Sequence, residues 1–219
     1  MKTLFVEAKR KFQNLHFDFQ KLPKKIGLLS TIQFLPLVKK AEEELKRNRI
    51  QVFKSKTLAN ETQILGCNVS AAEKISDKVD AFLLLSSGRW HGLMLAKFRK
   101  PVFICNGEKT ERLSEEDIQK FNLRKKSALA RFFSEDKIGI LVSTKPGQYN
   151  LKAALTLKEE LERKGKKAFL FIADTFNLLE LENFGLKIYV NTACPGMFFD
   201  SSNIINISEI QDFEENRKV

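Results

Sequence analysis

The sequence has few of the residues from which disulfide-bonded or metal-bound frameworks are built. Its 219 residues include three cysteines, two histidines and one tryptophan. Three widely spaced cysteines are too few for a disulfide scaffold, so each is core filler, a reactive thiol or a metal ligand. The sequence contains no CxxC pair, so the cysteine spacing alone gives little support for a metal site.

Long hydrophobic runs are also missing. No apolar stretch approaches the roughly 18–20 residues of a membrane-spanning helix. Residues 1–9 contain one acid and two lysines where a signal peptide needs its apolar segment. We therefore expect a cytoplasmic protein without membrane association. At roughly 100–200 residues per domain the chain makes one large or two small domains, and its hydrophobic content of 43% is enough for a core.

Positive charge is in excess, with 38 Lys and Arg against 27 Asp and Glu and a net charge of +11. A basic protein attracts polyanions, and nucleic acid is the first to consider. The lysines, however, alternate with acids in segments such as residues 39–47, which is typical of a solvated helix face. No groove-reading or base-stacking motif accompanies the charge. The sequence therefore disfavours direct nucleic-acid binding.

One short phrase occurs twice in the chain. Residues 25–31 read KIGLLST and residues 137–144 read KIGILVST, with their glycines 112 positions apart. An amphipathic helical pattern follows each phrase, over about residues 35–48 and 151–164, and a second apolar run follows each helix. Apolar strands that alternate with amphipathic helices predict parallel sheets covered on both faces.

The repeat predicts an α/β fold of two similar domains, each a small parallel sheet flanked by helices. We place these domains at residues 24–118 and 119–219, with Gly107 to Lys126 as the connection. Residues 1–23 form an N-terminal extension with one strand candidate, Leu4 to Val6. Ligands of open α/β sheets collect at the carboxyl ends of the strands, so the residues that follow each strand are the first candidates for a site.

Two cysteines follow predicted strands. Cys67 comes just after a short predicted strand at residues 63–65 and before a predicted helix, where a thiolate is favoured. Cys194 has the same kind of position in the second domain, and Pro195 fixes the backbone after it. Cys105 closes an apolar run and is most simply a small core residue.

Two predicted loops carry small and polar side chains. In residues 86–92, SSGRWHG, Arg89 offers a fixed cation and His91 a donor or acceptor, although a capped loop before a helix explains the same residues. Residues 145–148, KPGQ, open the next helix and can cradle a carboxylate or phosphate. His16, among phenylalanines near the N terminus, is interpreted as a packing or surface residue.

Together these phrases closely resemble the 2-(3-amino-3-carboxypropyl)histidine synthase family of diphthamide biosynthesis. In chain order the matching phrases are LGC at 65–67, AEKI and VDAF within 72–82, SGRWH at 87–91, KPV at 100–102, STKPGQ at 143–148 and VNTACP at 190–195. Archaeal and eukaryotic members of this radical SAM-like family begin the modification of a histidine on elongation factor 2. The resemblance covers about Lys24 to Glu209.

The resemblance implies iron–sulfur chemistry. Family enzymes bind a 4Fe–4S cluster through three cysteines, one from each of three similar α/β domains, and the remaining iron engages S-adenosylmethionine. Cleavage of an S–C bond gives a 3-amino-3-carboxypropyl radical that adds to the histidine of elongation factor 2. By position, Cys67 and Cys194 correspond to the second and third cluster ligands, and the two domains match the second and third of the family.

The resemblance also implies residues that contact the cofactor. The loops at residues 87–91 and 145–148 are candidates for holding the methionine moiety or shaping its pocket. The implied cofactor-binding residues are Ser87, Gly88, Arg89, His91, Gly147 and Gln148.

The chain departs from the family in two places. Family members have a complete first domain that brings the first cysteine, and Gly196-Met197 stands where the family usually has an arginine and an aliphatic residue. Three hypotheses stay open. The chain is a subunit of a split synthase, in a dimer or higher oligomer, whose partner chain supplies the missing domain and cysteine. Alternatively, it is a non-catalytic scaffold or accessory subunit of diphthamide synthesis, or a repurposed α/β binding module.

Overall fold

The computed structural model describes residues 3–9, 15–199 and 201–216. The chain divides into two compact units, residues 1–118 and 119–219. Over the described ranges, no helix has the length and apolar character needed to cross a membrane.

Unit 1 is built on a five-stranded sheet with the order β2-β1-β3-β4-β5. The first four strands are parallel, and β5 runs antiparallel to β4. The strands are β1 (Lys25–Ser30), β2 (Gln51–Phe53), β3 (Ala81–Leu85), β4 (Val102–Cys105) and β5 (Thr110–Arg112). The α-helices are α1 (Val38–Arg47), α2 (Ser70–Glu73) and α3 (Arg89–Leu95), and 3-10 turns cover Ile32–Leu37, Ser76–Lys78 and Ala96–Phe98.

Unit 2 is built on a four-stranded sheet in which all neighbouring strands are parallel, with the order β7-β6-β8-β9. The strands are β6 (Lys137–Ser143), β7 (Lys167–Ala173), β8 (Tyr189–Asn191) and β9 (Ile204–Asn206). The helices are α5 (Leu151–Arg163), α6 (Leu178–Glu182) and α7 (Ile207–Asn216), together with α4 (Glu115–Ser134), which begins in unit 1. The predicted α/β class with parallel sheets is confirmed.

Both faces of β6 are buried, as the continuous apolar run predicts. Ile138, Ile140 and Val142 belong to one core cluster, while Leu141 belongs to a second cluster with Tyr189. Side chains of a strand alternate between the faces of its sheet, so a strand that is covered on both sides must be apolar throughout.

The glycine of the repeated phrase has the same packing role in both units. Gly27 pairs with Phe82 on β3, and Gly139 pairs with Tyr189 on β8. A Cβ atom would lie 2.9 Å from the Phe82 ring at Gly27 and 2.2 Å from the Tyr189 ring at Gly139. The aromatic ring of the neighbouring strand therefore lies across the glycine, so the repeat in the sequence is also a repeat in the core.

One prediction about a segment outside the repeat is wrong. Leu4 to Val6 forms no strand, and its side chains are exposed. The predicted connection at Gly107 to Lys126 includes the boundary between the two units, and it contains β5 and the first half of α4. This helix begins before any apolar periodicity because Ser114 caps it: the Asp117 amide donates to Ser114 Oγ at 3.0 Å.

We predict that Gly139→Ala destabilises the protein more than Gly27→Ala. The added methyl overlaps the buried Tyr189 ring, and overpacking of this kind costs about 1–3 kcal/mol. At Gly27 the nearest ring atom is farther away, so a small shift of Phe82 relieves the contact. Urea denaturation of both variants measures the difference in the free energy of unfolding.

Gly139→Ala combined with Tyr189→Leu provides the control for this mechanism. Because the smaller side chain removes the overlap, the alanine should cost less in the Tyr189→Leu background than in the wild type. An equal cost in the two backgrounds would show that the ring is not what excludes a side chain at position 139.

Candidate functional site

The segment before Cys67 runs beside the carboxyl end of β1. The Ser30 amide donates to the Thr62 carbonyl at 2.9 Å, and the Ile64 amide donates to the Ser30 carbonyl at 2.9 Å. The strand predicted at residues 63–65 is reduced to a single bridge between Ser30 and Gln63. Thr62 has a left-handed φ of 67°, a conformation that interrupts an extended strand.

Cys67 lies in the tight turn that follows this segment. Leu65 and Asn68 close the turn with two reciprocal backbone hydrogen bonds of 2.9 and 3.1 Å. The Asn68 carboxamide oxygen accepts from the Ser70 amide at 3.1 Å and from its hydroxyl at 2.6 Å. The turn therefore presents Cys67 as an exposed, free thiol next to the start of α2.

Trp90 packs directly on the glycine that precedes this cysteine. A Cβ atom at Gly66 would lie 1.7–2.4 Å from three atoms of the six-membered ring of Trp90. The structure therefore brings the predicted segment at residues 87–91 against the Cys67 turn. The predicted loop at residues 86–92 is partly wrong, however, because α3 already begins at Arg89.

His91 lies on α3 with its ring edge-on to Trp90, at a centroid distance of 4.8 Å and an angle of 62°. Its Nδ1 atom is buried and has no hydrogen-bond partner among the described residues. Burial lowers the pKa of His91 below its usual value of 6.5, because the cationic form loses hydration. At neutral pH we therefore expect a neutral imidazole.

Ser87, Gly88 and Arg89 line a small cavity on the side of β4 and β5, not the Cys67 turn itself. Arg89 Nη1 forms a forked contact with the two carboxylate oxygens of Asp117, at 3.1 and 3.2 Å. The guanidinium is largely exposed, so this pair contributes little to stability.

The loop that carries Cys194 is fixed by a pair of buried amide side chains at the ends of β8 and β9. Asn191 Nδ2 donates to the Cys194 carbonyl at 3.0 Å and to Asn206 Oδ1 at 2.8 Å. Asn191 Oδ1 accepts from the Ala193 amide at 3.0 Å. Cys194 itself is a free, half-buried thiol.

The same loop is also tied to β6. The amide and hydroxyl of Thr192 both donate to the Leu141 carbonyl, at 3.2 and 2.8 Å. The Met197 amide donates to the Cys194 carbonyl at 3.1 Å, which closes a turn over Pro195 and Gly196. The backbone around Cys194 is therefore held on both sides of the cysteine.

The predicted loop at residues 145–148 follows β6 at the same edge of the unit 2 sheet. The Lys145 amide donates to Ser143 Oγ at 3.2 Å, and the Gln148 amide donates to the Lys145 carbonyl at 3.0 Å. Gly147 has a positive φ of 77°, which favours glycine. Gln148 Oε1 is buried and has no hydrogen-bond partner among the described residues, so it is a free acceptor in this turn.

Cys105 differs from the other two cysteines. It is fully buried in the core of unit 1 with Leu28 and Leu83, as the sequence predicts. Burial raises the pKa of its thiol, so the protonated form is favoured, and a protonated thiol is a poor metal ligand. Over the described ranges, no group of three or more His, Cys, Asp or Glu side chains is arranged to hold a metal ion.

Sequence reasoning missed residues that contact the segments carrying the two cysteines. Asn191 and Asn206 were not among the candidates, and Trp90 lies inside the candidate loop at residues 87–91 but was given no role of its own. A polar amide directly after an apolar strand is a usable signal for Asn191. No sequence signal marks the contact between Gly66 and Trp90, which depends on the fold.

Residues 1–206 match the family described as diphthamide synthesis protein. The chain belongs to this family. The 2-(3-amino-3-carboxypropyl)histidine synthase of Pyrococcus horikoshii is 28% identical over 186 residues, which are 84% of this chain and 54% of that protein. Subunit 1 of the human 2-(3-amino-3-carboxypropyl)histidine synthase is 28% identical over 183 residues, covering 80% of this chain and 40% of that protein.

The fold is also similar to a crystal structure of Dph2 from Pyrococcus horikoshii with a 4Fe-4S cluster. The TM-score is 0.74 at 26% sequence identity, and the match covers 92% of this chain and 60% of that chain. The chain thus spans about half the length of the curated relatives it matches. The resemblance drawn from the sequence phrases is confirmed.

We predict that Asn191→Ala destabilises unit 2 and loosens the Cys194 loop. The substitution leaves Asn206 Oδ1 without its donor and the Ala193 amide without its acceptor, and it removes one of the two donors to the Cys194 carbonyl. Each buried unsatisfied group costs about 1–3 kcal/mol. Urea denaturation should show the loss of stability, and alkylation of Cys194 should become faster. Asn122→Ala, at an exposed position of α4, should change neither; an unchanged Asn191→Ala protein would contradict the role of the amide pair.

We also predict that stability falls as the pH drops below about 6.5, the usual pKa of histidine. Burial lowers the folded-state pKa of His91, so the unfolded state binds the proton more tightly. The stability that the neutral His91 contributes is therefore lost as the pH falls from the unfolded-state pKa towards the folded-state pKa. Urea midpoints compared at about pH 7.5 and about pH 5.5 should differ less in His91→Gln than in the wild type. His16→Gln, which changes an exposed histidine, should behave as the wild type does.

Proposed function

We propose that the chain supplies Cys67 and Cys194 as two thiolate ligands of a 4Fe–4S cluster in a 2-(3-amino-3-carboxypropyl)histidine synthase. The reaction is transfer of the 3-amino-3-carboxypropyl group from S-adenosylmethionine to a histidine of elongation factor 2. The observation that carries this proposal is the contrast among the thiols. Cys67 and Cys194 are solvent-accessible on braced loops at sheet edges, whereas Cys105 is sealed in the core.

The donor set fits an iron–sulfur cluster. Thiolate sulfur is the usual ligand of such clusters, and both cysteines are free of disulfide bonds. Small residues stand near both thiols, since Gly66 directly precedes Cys67 and Gly196 follows Cys194 by two residues. A relative of similar fold has a crystal structure with a 4Fe-4S cluster.

Each thiol is presented by hydrogen bonds that do not involve its sulfur. The Cys67 turn is closed by Leu65 and Asn68, and the Cys194 loop is closed by Asn191 and Thr192. The protein therefore holds the ligands in place before the metal arrives, which reduces the ordering cost of binding. When bound, the cluster supplies the electron that cleaves an S–C bond of S-adenosylmethionine.

The turn at Gly147 and Gln148 supports a role in binding the cofactor's methionine end. The buried Gln148 Oε1 is an acceptor without a donor, and a protonated amino group is a donor that suits it. Ser87 and Gly88, which lie just before α3, and His91 on α3 are proposed to shape the pocket. Arg89 is proposed to take part through its Nε and Nη2 groups, since its Nη1 contacts the Asp117 carboxylate.

A third cysteine ligand is proposed to come from outside these 219 residues. A domain with one cysteine at a strand end, in another chain or another segment, meets this need. The relatives named as subunit 1 and subunit 2 favour a multi-chain assembly. We propose that the assembly works in the cytoplasm, where elongation factor 2 is found.

Anaerobic iron and sulfide analysis tests this function. The chain is purified alone and co-expressed with a family chain that carries the first domain. We expect about four irons and four sulfides per complex only in the co-expressed sample. Cys67→Ala and Cys194→Ala should lose the cluster, and Cys105→Ala should keep it.

A second readout separates the synthase from an accessory subunit. The loaded complex is incubated with elongation factor 2 and S-adenosylmethionine labelled in the aminocarboxypropyl group, and label on the histidine is measured. A complex that holds iron but transfers no label indicates the accessory role, which Gly196-Met197 favours because the family usually has an arginine there. A complex that never holds iron in either sample overturns the proposed function.

A further inference from the structure

We propose that Trp90 is the positioning residue for Cys67: its indole, packed on Gly66, holds the Cys67 turn in the shape that presents the thiol. This inference rests on the proposed role of Cys67 as a cluster ligand. It assigns to Trp90 a function that neither the family match nor the relatives' names contain.

The contact between Trp90 and Gly66 is too close to be incidental. A Cβ atom on Gly66 would lie 1.7 Å from Trp90 Cη2, 2.0 Å from Cζ3 and 2.4 Å from Cζ2. No side chain fits at position 66 while the ring stays in place. The ring edge therefore rests on the backbone of the residue that directly precedes the proposed ligand.

The ring is itself held by a rigid base. Trp90 is the second residue of α3, and Gly92 on this helix packs so closely on β4 that a Cβ atom would lie 2.6 Å from Ile104 Cδ1. Leu93 and Leu95 on the same helix are buried. The imidazole of His91 contacts the indole edge-on, so helix and histidine together fix the ring.

The Cys67 turn needs this support because Gly66 is its least restrained residue. Glycine has the largest backbone freedom of all residues, worth about 0.5–1 kcal/mol relative to alanine. Two backbone hydrogen bonds between Leu65 and Asn68 close the turn, but they leave Gly66 and Cys67 at its tip. The indole covers Gly66 and leaves the thiol exposed.

Trp90 is also the only tryptophan of the chain, so the tryptophan fluorescence of the chain comes from the surroundings of this one ring. Iron–sulfur clusters absorb where tryptophan emits and quench a nearby indole by energy transfer. Loading of the wild-type complex should therefore quench the tryptophan emission, and removal of the iron by a chelator should restore it. The co-expressed chain contributes its own emission, so its tryptophans are replaced beforehand.

The first experiment uses the full chain without metal and needs no activity. Alkylation of Cys67 is followed by peptide mass spectrometry in the wild type, Trp90→Phe, Trp90→Ala and Phe98→Ala. We expect Trp90→Ala to increase the alkylation rate of Cys67 about 2- to 5-fold. This factor corresponds to the extra backbone freedom of a glycine that no ring covers. Trp90→Phe keeps a ring on Gly66 and should largely restore the wild-type rate.

Phe98→Ala is the matched control. It removes an aromatic side chain just after α3 whose ring packs on Phe82, at a centroid distance of 5.6 Å. It should lower stability and leave Cys67 alkylation unchanged. Equal acceleration in Phe98→Ala and Trp90→Ala would mean general loosening of unit 1 and would overturn the positioning role.

The second experiment uses the loaded complex. Loss of the indole would loosen the turn that carries one ligand and leave that turn more open to water. Trp90→Ala should therefore release iron faster and shift the midpoint potential to a less negative value, with Trp90→Phe in between. Gly66→Ala, which pushes the ring away, should act in the same direction as Trp90→Ala. If Trp90→Ala fails to fold, iron release and midpoint potential are measured on Gly66→Ala instead.

The outcomes separate this inference from the proposed function. If the wild type never binds iron, the proposed function fails, and alkylation still decides whether Trp90 positions Cys67. If the wild type binds iron while Trp90→Ala matches its alkylation rate, iron release and potential, the positioning role is wrong and the function stands.

Discussion

A glycine beneath an aromatic ring fixes the central strand pair of each unit. Gly27 lies under Phe82 and Gly139 under Tyr189, and each ring comes from the neighbouring parallel strand. A side chain at either glycine would meet the ring of the neighbouring strand, with the larger overlap at Gly139. The register of β1 with β3 and of β6 with β8 therefore depends on this contact, and the loops at the strand ends depend on the register.

The repeat belongs to the scaffold and not to the position of the cysteines. Cys67 follows a segment bonded to Ser30 at the end of β1, whereas Cys194 lies in the loop that follows β8 and is bonded to Leu141 of β6. The two cysteines therefore lie beside strands at different positions in two sheets of similar strand order. Each is nevertheless anchored to the first strand of its unit, so one scaffold can present a ligand from either flank.

The fold was predictable to the extent that it depends on hydrophobic pattern. Buried strands such as β6 are apolar throughout, and amphipathic helices such as α5 show their period, so both appear in the sequence. The start of α4 was missed because its cap, and not an apolar stripe, begins the helix. The strand at residues 63–65 was overpredicted because a left-handed Thr62 turns the chain just before it and the turn between Leu65 and Asn68 ends it. The ligand candidates followed from position, but Asn206 and Trp90 act through contacts that only the folded chain creates.

The contact of Trp90 with Gly66 also limits how this protein can evolve. A larger residue at position 66 collides with the indole, and a smaller residue at position 90 leaves a hole above the glycine. A substitution at only one of the two positions impairs the contact, so we expect the two positions to change together during evolution.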